Sequence, residues 1–283
     1  DANGTALVLS TAIPLCVALF QSSGKIGKVT SALILLGIGV SLARSGSRGG
    51  FLGLAAVGVV LLIVVRGVSI WKRVAFVGVV AAGLLVASPQ GYWQQLQSLT
   101  NPTQDYNWTS PYGRKAIALR GLGYLMDNPA TGLGVGQYPR AEAMLSDVTQ
   151  QRRAMNEGFK WAAAHNSYLQ VAAELGIPGL ILFCALVFGT PVSVYRLRRR
   201  LPRGWRTAGG KSGFVYDLAL YLPASLVGFA VTCTFLSFAY HDILYMLTAF
   251  AAGTFVSARQ IVRQKATDRR AAVQRHESLK RAS

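Results

Sequence analysis

The stretch Trp161-Ala-Ala-Ala-His165-Asn-Ser-Tyr168-Leu169-Gln-Val-Ala-Ala-Glu174-Leu-Gly176-Ile-Pro178-Gly179-Leu-Ile-Leu182 carries a polar segment with one histidine directly into an apolar span. Helical spacing from His165 predicts Tyr168 and Leu169 on its face. Glu174 follows before a break at Gly176, Pro178 and Gly179, where a new membrane helix is expected to begin. His165 is thereby expected at the boundary between water and lipid. A group that titrates near neutral pH suits taking a proton from an attacking hydroxyl there. Read alone, the histidine fits a hydrogen-bonded helix cap better than a base, so the rest of the chain has to decide.

The composition sets the class. Of 283 residues 52% are hydrophobic and 14% charged, and the mean hydropathy is +0.36, which is too apolar for a soluble domain of this length. The chain reads as an all-α integral membrane protein. It starts at Asp1 with neither an initiator Met nor a signal peptide and enters an apolar segment at once, as expected of a C-terminal portion of a longer chain. Cys16, Cys184 and Cys233 each lie inside an apolar segment, without disulfide or metal-ligand spacing.

Apolar segments at Thr5–Gln21, Val29–Ala43, Gly50–Val65, Val74–Ser88, Pro178–Tyr195, Asp217–Phe238 and Ile243–Ser257 predict about seven transmembrane helices. The expected organisation is four spans in 1–89, a large loop with amphipathic helices in 90–177, three spans in 178–258 and a basic cytoplasmic tail in 259–283. Gly53, Gly58, Gly78 and Gly83 mark faces suited to close helix packing in lipid.

The formal charge of +18 lies mostly outside the long loop, which holds Arg114, Lys115, Arg120, Arg140, Arg152, Arg153 and Lys160 against Asp105, Asp127, Glu142, Asp147, Glu157 and Glu174. The excess sits in short connections and the tail, which is a topology signal and not a nucleic-acid patch. It places the tail, the connection Arg196–Lys211, Arg66, Lys72, Arg73, Lys25 and Lys28 on the cytoplasmic side. The loop Gln90–Ile177 then lies outside. So does the turn holding Arg44 and Arg48, against the positive-inside pattern. The tail also attracts anionic membrane lipid.

Within the loop, Ser110-Pro111 predicts a helix start running to about Met126, ended by Asn128-Pro129. Arg114 shares a face with Ile117, Ala118, Gly121 and Leu125. A second helix is expected from about Pro139 to Trp161, leading to His165. Between the two lies Gly132-Leu-Gly-Val-Gly136, a weak match to a nucleotide loop because no strand precedes it.

Arg44 and Arg48 on the outer side could grip a phosphate, aided by the amides of Gly49 and Gly50, or snorkel to lipid headgroups. Arg114 suits a second cation of an anion clamp, or an ordinary surface role. Glu174 and His241 are secondary candidates, and the turn Tyr240-His241-Asp242 needs no function. The chain has no Asp-x-Asp motif and no His/Cys cluster. This points away from a catalytic metal or other cofactor, so activity is expected to survive EDTA.

Taken together, Ser47-Arg48-Gly49-Gly50 opening a span, Arg114 ahead of Asp127-Asn128-Pro129 and Gly132–Gly136, then His165-Asn166-Ser-Tyr-Leu169 with Glu174-Leu-Gly176 and Gly179-Leu180 resemble the O-antigen ligase and O-antigen polymerase superfamily. The resemblance covers about Ser31 to Gly253. It implies a metal-independent glycosyltransferase of the bacterial inner (cytoplasmic) membrane, working at the periplasmic face in cell-surface polysaccharide biosynthesis. The donor it implies is a glycan on undecaprenyl diphosphate. The acceptor is a hydroxyl of lipopolysaccharide lipid A core, of a growing glycan or of a protein. Carried over, Arg48 and Arg114 hold the diphosphate and His165 is the catalytic residue at the acceptor, while Arg44 has no matched role. The rival readings are a transporter of an anion or lipid-linked sugar, and a non-catalytic envelope-assembly subunit.

Overall fold

The computed structural model describes residues 2–45, 47–87 and 106–282; among these, every regular element is helical. In chain order they are α1 (Ala2–Ser22), α2 (Lys25–Ser45), α3 (Arg48–Val64), α4 (Ile70–Ala87), α5 (Tyr106–Thr109), α6 (Arg114–Asp127), α7 (Tyr138–Met144), α8 (Asp147–Ala154), α9 (Ser167–Arg200), α10 (Gly210–Cys233) and α11 (Asp242–Ala282), with a short 3-10 turn at Arg203–Arg206. By length and composition α1, α2, α9 and α10 can each cross a membrane, and Gly49–Val64 is a shorter apolar helix. This is a multi-pass membrane protein. Of the seven expected spans, four coincide with these long helices and the third with the shorter one; the fourth and seventh fall on α4 and the first part of α11.

The bundle is built around α10, which is apolar on all sides and so needs neighbours all round. Buried residues make up 61% of its most apolar window against 22% for α2, which sets α10 at the centre and α2 at the rim. Leu218, Leu222, Leu226, Phe229 and Cys233 pack with Phe183 and Val187 of α9, Leu244 and Leu247 of α11 and Leu7 of α1. Lipid supplies no hydrophobic drive between helices, so close approach by small residues matters more. A Cβ at Gly53 would run into the Thr232 hydroxyl, one at Gly50 into Ala6, and one at Gly228 into Val57. Gly58 and Gly78, by contrast, have open space beside them, and the Gly83 side lies outside what is described. Of the glycines expected at packing faces, Gly53 is therefore the one whose missing side chain admits a neighbour.

One end of the bundle gathers the basic connections. Arg66, after α3, forms an ion pair with Asp217 of α10, donates to the Arg206 carbonyl at 2.5 Å and lies 4.8 Å over the Tyr216 ring. Gln21 at the end of α1 donates to the Arg66 carbonyl, and Lys265 of α11 to Ser212. The opposite end carries the long loop and the connection 234–241 between α10 and α11.

Three local expectations are corrected at that loop end. Helix α6 starts at Arg114 and not at Pro111, because the Ser110 hydroxyl accepts from the Tyr112 amide and the Ser110 carbonyl from Gly113, closing a turn first. The single helix expected from Pro139 to Trp161 is two, α7 and α8, since Ser146 turns extended (φ −68°, ψ 137°) and caps α8 through Thr149. The chain from Met155 to Asn166 has no helix. Finally, α9 does not begin at the Gly176–Gly179 break but at Ser167; Gly176 (φ 68°, ψ −170°) is a kink within it.

Candidate functional site

His165 precedes α9 and does not lie on it, so Tyr168 and Leu169 share no helical face with it. The cap is its neighbour: the Asn166 side chain accepts from the Leu169 amide at 3.0 Å. His165 itself takes left-handed backbone, φ 51°, a region where histidine is among the few enriched non-glycine residues. Its amide donates to the Ser237 hydroxyl at 2.7 Å. Next to it the Ser167 hydroxyl donates to the Leu236 carbonyl at 2.6 Å and accepts from the Phe238 amide at 2.9 Å. The start of α9 is thus tied, through main chain and hydroxyls, to the α10–α11 connection.

The same few residues receive the other candidates. Arg114 at the first turn of α6 reaches the Phe235 carbonyl with Nη1 at 3.5 Å. A Cβ on Gly49, next to Arg48, would stand 3.3 Å from the Phe235 side chain. Three helix starts, those of α3, α6 and α9, therefore converge on Phe235–Phe238. The Arg48 backbone opens α3, but its side chain lies outside what is described. Arg44 ends α2 in an exposed position.

The three starts differ in one respect. Ser47 caps α3 by accepting from the Gly50 amide at 3.0 Å, so that amide, expected to help hold a phosphate, is already occupied. Asn166 caps α9. Helix α6 opens on Gly113, which has no side chain to fill its first-turn amides. With Arg114 and Lys115 as its first residues, this helix end favours an anion twice over, through its amides and dipole and through its cations.

His165 and Arg114 sense each other. Burial first and the nearby Arg114 charge second hold the imidazole below its usual range. At neutral pH the ring is uncharged, with a lone pair able to accept a proton.

The other candidates take structural places. Glu174 is fully buried, and its carboxylate accepts from the Gly136 amide at 3.0 Å and the Tyr138 amide at 2.9 Å. The glycine-rich turn does hold an anion, but that anion is the protein's own glutamate. The turn docks on the α9 kink: Leu133 and Gly134 donate to the Ala173 and Glu174 carbonyls, and Ile177 to the Pro129 carbonyl. Gly132 (φ 66°) lies so close to the Glu174 carbonyl that a Cβ would overlap it. His241 accepts from the Ile243 amide through Nδ1 at 3.2 Å and packs edge-on to Phe238, which makes it a turn residue.

Sequence reading missed Ser167 and Ser237, which fasten the site, and the pair Arg120–Glu142. The latter joins α6 to α7 at 2.6 Å and takes in the Tyr124 hydroxyl. Asn166-Ser167 was legible as a helix cap; Ser237 and Glu142 meet partners across the fold, and nothing local marks them.

The O-antigen ligase family model matches residues 31–184, just over half of the chain and a range that includes Arg48, Arg114 and His165. Comparison with curated proteins finds no match. With the converging helix starts inside the matched range, the chain belongs to the O-antigen ligase family of glycosyltransferase-type membrane enzymes.

Proposed function

We propose that the chain transfers a glycan from an undecaprenyl-diphosphate carrier to an acceptor hydroxyl at the periplasmic end of the bundle. The observation that carries this reading is the uncapped start of α6. It sets Arg114, at a helix start without a side-chain cap, beside an uncharged His165, an anion-holding group next to a proton-accepting one. Arg114 and Arg48 hold the diphosphate. As the bond from the anomeric carbon to the diphosphate oxygen breaks, its electrons pass to the leaving group, where fixed cations stabilise the growing charge. The acceptor oxygen attacks from the opposite face, inverting that carbon, and its proton goes to the His165 imidazole. Base catalysis of this kind contributes about 10²–10⁴-fold.

A transporter would place ionisable groups near the middle of the bundle. Among the described residues, the buried pair Arg66–Asp217 lies instead at the basic end. The test is glycan transfer by the purified protein with lipid-linked donor and candidate acceptors, wild type against His165→Ala. Product from wild type and a drop of at least about a hundredfold in the variant is expected. Equal product from both returns His165 to a structural role.

A further inference from the structure

Folding withdraws one negative charge from the long loop. Glu142 and Arg120 cancel each other in an ion pair, whereas Glu174 is buried on the amides of the glycine-rich turn. What remains towards solvent is biased positive, and the bias is concentrated. Residues 152–160 hold Arg152, Arg153 and Lys160 with one carboxylate, Glu157, which pairs with Arg152 at 3.3 Å. Two of these cations sit on one ring: Lys160 Nζ is 3.9 Å and the Arg152 guanidinium 5.6 Å from the centre of Tyr112. Arg153 lies 4.8 Å over Phe159, and Lys115 5.1 Å over the exposed Trp108.

A cation held on an aromatic ring is fixed in place without losing its charge. Two held on the same ring repel; Glu157 offsets part of that repulsion through Arg152, and a further anion beside the ring relieves more of it. Because the side chains are already ordered, little further entropy is lost when the anion binds. The place is informative too. Tyr112 precedes Arg114 by two residues and Lys160 precedes His165 by five, distances of at most about 7 Å and 17 Å along the chain. An oligosaccharide with its reacting end at His165 can extend over this surface.

We propose that Tyr112, Arg152 and Lys160, flanked by Lys115 and Arg153, form a docking site for an anionic oligosaccharide, one whose sugars carry carboxylate or phosphate groups. The proposal rests on the transferase reading only for which glycan arrives there. The binding surface is testable by itself.

The experiment is a binding titration of the purified chain in detergent with tetragalacturonate and, as the uncharged counterpart, maltotetraose, followed by tryptophan fluorescence. Wild type should bind the acidic tetramer more tightly, with a margin that shrinks as salt rises. Arg152→Gln with Lys160→Gln should cut that margin by roughly 2- to 30-fold, taking each exposed pair at its usual strength. Lys160→Arg, which keeps the charge, and Arg140→Gln, at an exposed position outside the cluster, should keep it. Equal binding of the two tetramers by wild type, or a full margin in the double glutamine variant, overturns the proposal. His165→Ala separates the two readings. A charge preference in wild type and His165→Ala with no transfer by either sinks the transferase and supports the docking site; transfer without preference does the reverse.

Discussion

Glu174 offers the sharpest separation of chemistry from architecture, since a buried carboxylate beside a candidate active site invites a catalytic role. In the structure both of its oxygens accept main-chain amides, Gly136 at 3.0 Å and Tyr138 at 2.9 Å. The Tyr240 hydroxyl lies beside it, and burial first and this carboxylate second push that phenol up. Glu174→Gln keeps the shape, but one of its two terminal atoms is an NH₂ that cannot accept. One amide then loses its partner inside the protein, and the other trades a charged acceptor for a neutral one. The glutamine oxygen can stay on the buried Tyr138 amide, where the weaker bond costs roughly 1 kcal/mol, and the amide left over is that of exposed Gly136, which water partly serves, so the variant should be less stable by about 1–3 kcal/mol. For a chain of this size that corresponds to a fall in Tm of roughly 2–12 °C. The buried free thiols Cys16 and Cys233 provide the assay, because a thiol-reactive dye reports their exposure as the protein is heated in detergent. Transfer per folded molecule at low temperature should stay at the wild-type level. A variant with unchanged Tm and abolished transfer would refute the reasoning and move Glu174 into the reaction.

Three further outcomes follow from the same geometry. Transfer should be level across neutral pH and fall only as the pH drops well below about 6.5, the ordinary histidine value, because His165 takes up its proton later than that; Arg114→Gln, besides slowing the reaction, should move this acid limb upward. The sign for stability agrees. The folded state binds this proton less readily than the unfolded chain, so the histidine's contribution is intact above about 6.5 and is lost as pH falls below it. Ser237→Ala removes the acceptor of the His165 amide and should cost about 1 kcal/mol of stability, with kcat falling more than KM rises as the imidazole loses its fixed position. Gly132→Ala should destabilise by more than the ~1–2 kcal/mol of left-handed backbone alone, since the new Cβ meets the Glu174 carbonyl, whereas Gly123→Ala, inside α6 with open space beside it, should stabilise by about 0.5–1 kcal/mol; thermal unfolding of the pair checks both.

How much of this was legible depends on how far apart the partners lie in the chain. Apolar runs with Lys and Arg between them announce membrane helices, because their signal is local and the cost of misplacing a charge in lipid is high. Motif order carried the family. Helix limits failed where a short-range hydrogen bond outweighed a propensity: Ser110 closes a turn before Pro111 can start a helix, and Ser146 breaks what composition suggested was one helix. His165 read as helical because its neighbours are good helix formers. Its real conformation is set by Ser237, 72 residues away, and no pattern within the loop contains that information. Likewise Gly132–Gly136 is only a weak match to a nucleotide loop, and its actual anion, Glu174, lies 38 residues beyond Gly136 in the chain.

The site's construction also explains why its residues are scattered along the chain. Each candidate side chain sits at or next to the first turn of a different helix, and each helix start touches Phe235–Phe238: α9 through the His165 amide and the Ser167 hydroxyl, α6 through the Arg114 guanidinium, and α3 by the close approach of Gly49. Holding His165 through its amide leaves the imidazole to chemistry, whereas Arg114 is oriented at this hub through one nitrogen of its guanidinium. The hub itself carries no titratable residue from Phe235 to Phe238. On the proposed function, a donor with a diphosphate and an acceptor with a hydroxyl must approach one point from two directions. Helix starts that meet end-on at a loop allow this, whereas a groove along one helix would present its groups in a single row. On the same proposal, side-chain caps on α3 and α9 and none on α6 make the α6 start the one suited to the negative charge. Gly113→Ser, which gives α6 a capping hydroxyl, should therefore weaken binding of the diphosphate donor, with thermal unfolding checking that this buried position accepts the larger side chain.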